Sequence, residues 1–315
     1  MPRGDPPRAT LLATLALLAV TAVWGSTFVL IKDLLARMSV VDFLAVRYAI
    51  GAAVALVVFA RPTWRLGRTQ WLRGLLLGVI YGLGQLLQTW GLDLIAPSVS
   101  GFATGTYVIF TPLLATLLLR QRMAPMVWVA VAMATAGLGL LTLHGVSVGL
   151  GVWLTLAAAA LYALQILGLS RWSTPGDALG LSAVQMLAIA VVCGVATAPH
   201  GPALPPDPGA WLAVLYMALV AGALAMILQT WAQAHLSATR SAIMMTGEPL
   251  FAAAFAVAFG SDLLTWRMLL GGGLIVAAMM LVELKPRRRQ RLEHLAGDAA
   301  TALPPSPLAL PEERK

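Results

Sequence analysis

Two charged side chains stand inside long apolar segments of this sequence, where their chemistry depends on what surrounds them. Glu248 lies deep in segment 240–260, and Arg47 lies in segment 42–60. A carboxylate surrounded by hydrocarbon costs several kcal/mol unless it is protonated, paired or in contact with water. We therefore expect Glu248 to take part in solute binding or proton coupling. The alternative is a protonated, purely structural group that bonds between helices.

Arg47 leaves two interpretations open. At about 1.5 Å per residue its backbone lies roughly 10–13 Å from that of Glu248 in depth, so direct pairing is not favoured. The guanidinium either holds an anionic solute or extends to the nearer membrane interface.

Amide, indole and phenol groups on the apolar segments form a second set of candidates. Gln88 and Gln229 should point inward, because amides face lipid only at a cost; they then bind solute or bond between helices. Trp231 lies near a segment end, where tryptophan also serves as an interfacial anchor. Tyr107 is predicted to line a cavity opposite Glu248. The candidates for substrate binding or coupling are therefore Glu248, Arg47, Trp24, Gln88, Tyr107, Gln229 and Trp231.

These candidates must be positioned by membrane-spanning helices. The 315 residues are 59% hydrophobic and 11% charged, with mean hydropathy +0.84, whereas soluble domains carry about 25% charged residues. Apolar runs of about 20 residues, enough to cross roughly 30 Å of hydrocarbon, alternate with short polar breaks. We predict an all-α polytopic membrane protein with ten transmembrane helices near residues 10–31, 42–60, 71–92, 99–119, 125–143, 149–168, 179–197, 211–231, 240–260 and 266–284.

The distribution of Lys and Arg predicts the orientation. With the N-terminus inside, most of the 21 basic residues fall in cytoplasmic segments, and Lys32, Arg37, Arg47 and Arg267 fall on or near the outer side. We expect a multi-pass protein of a bacterial inner membrane with both termini cytoplasmic. The first apolar run exceeds the length of a signal-peptide core, about 7–15 residues, so we do not expect cleavage.

An internal repeat divides the chain. The Leu-Gln-Thr-Trp segment at 87–90 recurs at 228–231, and each copy is followed by a helix with a proline, Pro112 or Pro249. The second proline is expected to kink its helix beside the solute path. Five spans per half invert the second copy, a design of secondary transporters with a solute site between the halves near the midplane. The predicted organisation is a cytoplasmic N-terminus 1–9, a first five-helix repeat 10–143, a second repeat 149–284 and a basic, Pro-rich tail 285–315 that is expected to be disordered.

A regular stripe of glycines marks one predicted packing surface. Gly74, Gly78 and Gly82 recur every four residues, so they form a smooth face of one helix. Small residues at this spacing allow a second helix to approach closely.

Several short motifs together indicate a family. They are Trp24-Gly25-Ser26-Thr27-Phe28 with Lys32, Arg47-Tyr48, the paired Leu-Gln-Thr-Trp segments, Gly247-Glu248-Pro249-Leu250-Phe251 and Gly271-Gly272-Gly273-Leu274-Ile275. With these motifs the sequence resembles bacterial transporters of the EamA family, in the drug/metabolite transporter superfamily. The resemblance implies ten helices, two EamA-type repeats and alternating access. The family's usual Gly-Glu pair at the end of the fourth and ninth helices is replaced by Arg120-Gln121-Arg122 and Ser261-Asp262, which weakens any transfer of a particular substrate.

The favoured function is secondary transport of a metabolite, an amino-acid-like compound or a drug-like solute, with proton-coupled export left open. A passive facilitator or lipid flippase of the same fold is the alternative. A membrane-embedded enzyme is disfavoured, because the four histidines fall at span ends or in the tail and form no His-Glu-x-x-His motif. No phosphate-binding Gly-x-x-x-x-Gly-Lys motif occurs, so ATP is not expected to drive transport directly.

The expected partners are a small solute, the lipid bilayer and, in a coupled mechanism, protons. The single cysteine, Cys193, has no second cysteine to pair with, and no cofactor, metal ligand or catalytic residue is predicted. The basic residues lie between spans, so nucleic acid is not expected as a partner. A homodimer is left open.

Overall fold

The computed structural model of the chain describes residues 7–95, 97–142, 149–199, 201–258 and 264–281, and every regular element within those ranges is helical. This confirms the predicted all-α class. The predicted tail 285–315 and the Ser261-Asp262 pair lie outside the described residues. The helices are α1 (Pro7–Leu35), α2 (Val40–Val58), α3 (Ala60–Trp64), α4 (Arg68–Leu94), α5 (Pro97–Gly105), α6 (Tyr107–Leu119), α7 (Pro125–Thr142), α8 (Leu150–Trp172), α9 (Ala178–Thr197), α10 (Pro208–Ala218), α11 (Ala225–His235), α12 (Ala238–Met245), α13 (Gly247–Ala258) and α14 (Trp266–Leu281).

The described helices correspond to the ten predicted spans. Seven helical stretches in the described ranges are long and apolar enough to cross a membrane. Helices α7 and α14 supply two shorter apolar helices, and α12 with α13 occupies the ninth predicted span. The short α3 lies between the second and third spans. The fold is that of a multi-pass membrane protein.

Three spans that the sequence predicts as continuous are interrupted in the structure. The fourth breaks at Thr106, between α5 and α6, and the ninth breaks at Thr246, between α12 and α13. The eighth contains a π-helical segment, Leu219–Leu224, which joins α10 to α11. Each interruption leaves backbone groups outside the regular α-helical pattern, in the middle of a span.

Proline explains one of these breaks but not another. Pro249 has no N–H and its ring excludes the carbonyl one turn earlier, so the helix restarts at Gly247 with the proline in its first turn. This agrees with the kink expected at Pro249. Pro112, in contrast, lies inside α6, several residues beyond the break at Thr106, and α6 continues through it.

Glycines permit close helix crossings at two places that bear on the site. A Cβ atom on Gly25 of α1 would lie 2.7 Å from the carbonyl oxygen of Glu248 on α13. A Cβ atom on Gly78 of α4 would lie 2.5 Å from the carbonyl oxygen of Gln185 on α9, and Gly74 and Gly82 face α9 in the same way. The predicted glycine stripe is therefore the surface on which α9 packs.

Charged residues distinguish the two ends of the helix bundle. At one end Gln70 at the start of α4 donates to the carbonyl of Trp172 at the end of α8. This arginine-rich end carries Arg61, Arg65, Arg68, Arg73, Arg120, Arg122 and Arg171. At the opposite end Lys32 donates to the carbonyls of Leu92 and Asp93, both at 2.9 Å.

Candidate functional site

A cavity between the two halves of the chain brings most of the predicted site residues together. Its empty volume is about 640 Å³, including its open mouth. The first half contributes α1, α2, α4 and the α5–α6 region, and the second contributes α8, α11, α12 and α13. The lining residues are Trp24, Thr27, Phe28, Ile31, Arg47, Tyr81, Gln85, Gln88, Thr89, Leu92, Thr104, Tyr107, Tyr162, Gln165, Ile166, Gln229, Met245 and Glu248.

Trp231 is the one predicted site residue that does not line this cavity. Successive residues of an α-helix are rotated by about 100°, so a residue two positions after Gln229 faces the other side of α11. Trp231 instead packs on the His235 ring, with ring centroids 4.6 Å apart. The sequence motif contains both residues, but the helix can direct only one of them into the cavity.

Glu248 presents a buried carboxylate to the cavity. It lies in the first turn of α13, directly after the helix break, and the residue is only 8% exposed. No residue in the described ranges forms a hydrogen bond or ion pair with this carboxylate. A helix N-terminus favours a nearby negative charge, but that alone does not repay the desolvation of a carboxylate. Glu248 is thus placed to take up a proton or to contact a solute group.

Arg47 presents a buried cation to the same cavity. Only 4% of its surface is exposed, and its guanidinium carbon lies 5.0 Å from the centroid of the Tyr48 ring. Its Nε donates to the carbonyl oxygen of Met217 at 3.1 Å. No ion pair with Glu248 is found among the described residues, in agreement with the depth argument from the sequence.

Backbone carbonyls in and near the π-helical segment hold two of these side chains. Met217, which accepts from Arg47, lies two residues before this segment, and Ala221 lies within it. Trp24 Nε1 donates to the Ala221 carbonyl at 2.9 Å. A π-helical turn disturbs the regular i to i−4 bonding and so makes carbonyl oxygens available to side chains. The interruption of the eighth span thereby positions two of the predicted site residues.

A closed set of hydrogen bonds surrounds Gln88. This Gln88 cluster consists of Gln85, Gln88, Thr104 and Tyr162. The Tyr162 hydroxyl donates to Gln88 Oε1 at 2.7 Å, and Gln88 Nε2 donates to Thr104 Oγ1 at 3.0 Å. Gln85 Nε2 lies 2.7 Å from the Tyr162 hydroxyl and donates to it. Both ends of the Gln88 amide therefore have partners within the protein.

A second set, the Gln229 cluster, consists of Gln165, Gln185, Gln229 and Thr230. Gln229 Nε2 donates to Gln165 Oε1 at 3.3 Å, and Gln165 Nε2 donates to Gln185 Oε1 at 3.2 Å. Gln185 Nε2 in turn lies 3.4 Å from Thr230 Oγ1. The Oε1 atom of Gln229 is buried and has no hydrogen-bond partner among the described residues. This cluster ends in a free acceptor at the cavity.

Tyr107 adds a second unsatisfied polar atom. Its hydroxyl is buried and has no hydrogen-bond partner within the described ranges. An unpaired polar group in the interior costs about 1–3 kcal/mol. Tyr107 and Gln229 both line the cavity and come from opposite halves of the chain. The cavity thus offers a cation, a carboxylate, a hydroxyl and a free amide oxygen.

Several polar lining residues are not among the candidates from the sequence, including Gln165, Gln85 and Tyr162. Gln165 is an amide in the middle of an apolar segment, so the desolvation argument that selected Gln88 and Gln229 also applies to it. Gln85 lies three residues before Gln88, hence on the same face of α4. Tyr162 had no comparable signal, because only the fold shows that its hydroxyl reaches two glutamines on another helix. No group of three or more His, Cys, Asp or Glu side chains suited to a metal occurs in the described part of the chain.

Comparisons with known proteins relate this chain to membrane transporters. A sequence model of the EamA-like transporter family matches residues 11–143 and 149–284. An uncharacterized transporter of Archaeoglobus fulgidus is 28% identical over 275 residues, which cover 87% of this chain and 87% of the relative. A protein solved by crystallography superposes with a TM-score of 0.73 at 19% identity, over 88% of this chain and 98% of the other. That last likeness concerns the fold alone.

Proposed function

The chain belongs to the EamA-like transporter family and is a membrane transporter, and from that premise we propose that it is a secondary transporter of a small organic solute. The solute occupies the cavity between the halves, and alternating access exposes the cavity to each side of the membrane in turn. We place the protein in a bacterial inner membrane, with the arginine-rich end and both termini in the cytoplasm.

One observation carries this proposal. Arg47 and Glu248 are buried on the same cavity without an ion-pair partner among the described residues, and they come from different halves of the chain. Buried charges in membrane proteins mark solute or proton pathways, because a structural role alone does not require an unpaired charge. Arg47 serves as the contact for an anionic group of the solute. Glu248 holds a proton in one state and a polar or cationic solute group in another.

Contacts at the opposite end support a state that is closed there. Lys32, one residue beyond the cavity-lining Ile31, donates to carbonyls at the end of α4. Arg37 forms an ion pair with Asp207 at 2.8 Å, which joins the end of α1 to the start of α10. The Arg37–Asp207 ion pair links the first half to the second, whereas the Lys32 contacts hold α1 against α4 within the first half. Both must break for the cavity to open at this end.

The interrupted spans supply positions for such a movement. The break at Thr246 lies two residues before Glu248, and the break at Thr106 lies directly before Tyr107. Solute sites of secondary transporters are typically formed by discontinuous helices. We propose that α5 and α6, and likewise α12 and α13, change their relative angles as the cavity changes sides.

The proposal is tested by reconstitution. The purified protein is first screened with amino acids, carboxylic acids and organic amines for compounds that raise its unfolding temperature. A compound that stabilises the protein is then radiolabelled, and its flux is measured in proteoliposomes with and without an imposed pH gradient. We expect flux above that of empty liposomes, accelerated by the gradient. Absence of flux for every stabilising compound would contradict secondary transport.

Glu248→Gln is the informative variant, with Asp93→Asn as its matched control. Both changes replace a carboxylate by an amide, but Asp93 is exposed and does not line the cavity. We expect Glu248→Gln to abolish the acceleration by the pH gradient and Asp93→Asn to retain it. If flux is indifferent both to the pH gradient and to Glu248→Gln, the chain is a passive facilitator and Glu248 is structural.

A further inference from the structure

A second cavity lies on the membrane-facing surface at the arginine-rich end. It has an empty volume of about 550 Å³, and α4, α6 and α8 form its walls. Leu77 and Ile80 lie on the first wall, and Leu118 and Leu119 on the second. On α8 the lining residues are Leu164, Leu167, Gly168, Arg171 and Trp172. This lipid groove, as we call it, is separate from the cavity that contains Glu248, because no residue lines both.

The lipid groove is apolar along its length and charged at one end. Leu164 and Arg171 are seven residues apart on α8, so the groove extends about 10 Å into the membrane from the guanidinium. Apart from Arg171 and Trp172, every lining residue is aliphatic or glycine. Gly168 allows α8 to pack closely against α4, since a Cβ atom there would lie 2.4 Å from Leu77 Cδ2. A narrow aliphatic slot with one cation at its interfacial end matches an acyl chain joined to an anionic headgroup.

Arg171 is available for such a headgroup. It is exposed and has no hydrogen bond or ion pair with any residue in the described ranges. Its neighbour Arg73, in contrast, lies 5.7 Å from the centroid of the Trp172 ring and donates to Gln70 Oε1. The acidic side chain of Asp177 at this end accepts from Gln70 and Thr174. The excess of arginine over acidic residues gives this end a positive field that favours anionic lipid over zwitterionic lipid.

We propose that the lipid groove is a binding site for an anionic phospholipid, with one acyl chain between α4, α6 and α8 and the headgroup phosphate on Arg171. The acyl chain supplies the apolar contact, and the phosphate supplies the selectivity for anionic over zwitterionic lipid. The site is independent of the transported solute, because it opens to the membrane and shares no residue with the central cavity.

The test measures lipid binding to the full-length protein in detergent by native mass spectrometry. Dioleoyl phosphatidylglycerol and dioleoyl phosphatidylcholine are added separately, and the bound fraction is compared at equal concentration. Arg171→Gln removes the proposed phosphate contact, and Arg122→Gln removes an exposed arginine at the same end that does not line the groove. One arginine near anionic lipid contributes about 1 kcal/mol, so Arg171→Gln should lower phosphatidylglycerol binding about fivefold. Phosphatidylcholine binding should not change.

One further variant and one soluble competitor separate the outcomes. Leu164→Trp fills the groove and should reduce binding of both lipids, while thermal unfolding and gel filtration verify that the variant folds. Glycerol 3-phosphate in excess should fail to displace phosphatidylglycerol, because it has no acyl chain. Equal effects of Arg171→Gln and Arg122→Gln would overturn the proposal in favour of a diffuse positive surface. Displacement by glycerol 3-phosphate would overturn it in favour of a soluble phosphate site.

Discussion

Gln88 and Gln229 occupy equivalent positions in the two halves of the chain, yet their surroundings differ. The amide of Gln88 is enclosed by Tyr162, Gln85 and Thr104, and both its oxygen and its nitrogen are bonded. The amide of Gln229 donates to Gln165, but its oxygen is buried without a partner among the described residues. One glutamine is fixed within the protein, whereas the other keeps an acceptor free for a solute or water.

The residues that precede the two repeat-related prolines also differ in whether their side chains are bonded within the protein. The first proline follows Thr111, whose hydroxyl bonds back to the Tyr107 carbonyl of its own helix. The second follows Glu248, whose carboxylate has no partner among the described residues. An inverted repeat duplicates the helices but does not constrain both copies to the same chemistry. The first half of this chain holds the cation and a closed polar cluster. The second half holds the acid and the free acceptor.

The largest expected effect comes from removing the Glu248 carboxylate, which has no counterpart at the repeat-related position in the first half. Glu248→Gln should eliminate the pH dependence of solute affinity, because an amide does not titrate. Thr111→Val, the change at the repeat-related position, should preserve it, since Thr111 bonds only within its own helix. Solute affinity is measured by isothermal titration calorimetry over a range of pH values. A pH dependence that survives in Glu248→Gln would place the titrating group elsewhere and remove the functional distinction between the halves.

The contribution of the first half is tested through its cation. Arg47→Gln should weaken the binding of an anionic solute about 10–100-fold, because a hydrogen bond to a charged group contributes about 1.5–3 kcal/mol. Arg47→Lys keeps the charge and should recover part of the affinity, but it loses the planar donor that reaches the Met217 carbonyl. Affinities are compared with those for a neutral analogue of the same solute. A loss of equal size for the neutral analogue would show that Arg47 acts through packing.

The two glutamine clusters should respond differently to the loss of one polar group. Tyr162→Phe removes the hydroxyl that serves both Gln85 and Gln88, so we expect a loss of about 1–3 kcal/mol in the free energy of unfolding. Gln229→Leu removes one donor to Gln165 and a free acceptor, and should cost less stability but reduce solute affinity. Unfolding in detergent and solute binding are measured on both variants. A larger loss of stability in Gln229→Leu, with the loss of solute affinity in Tyr162→Phe, would mean that the Gln88 cluster, and not the Gln229 cluster, binds the solute.

The smallest expected effect concerns the ion pair that joins the halves at the surface. A hydrogen bond from the Ala210 backbone N–H, together with Arg37, lowers the pKa of Asp207. A lowered folded-state pKa stabilises the protein above the unfolded value of about 3.9, and this contribution is lost as the pH falls through the folded value. Asp207→Asn should therefore lower the unfolding temperature slightly at neutral pH, less at high salt, and not at all in strong acid. A difference that persists in acid would assign the effect to the helix cap instead of the charge.

The sequence anticipated much of the cavity because desolvation is a strong constraint in a membrane. A charge or an amide within an apolar span must face the protein interior, so Arg47, Glu248, Gln88 and Gln229 could be selected without a structure. The same argument applies to Gln165. Trp231 carries an indole group on the same apolar span, but helical rotation directs it away from the cavity that Gln229 lines.

The sequence by itself determined the class of the protein. Its hydropathy, its basic residues and its repeat indicate a ten-span, two-repeat membrane protein, because each signal comes from the local cost of placing residues in hydrocarbon or at its surface. Tertiary structure decided which polar groups are bonded and which are free. The π-helical segment, the break at Thr106 and the bridge from Tyr162 to Gln88 depend on contacts between distant segments. Local residue patterns carry no record of such contacts, so they could be identified only in the folded chain.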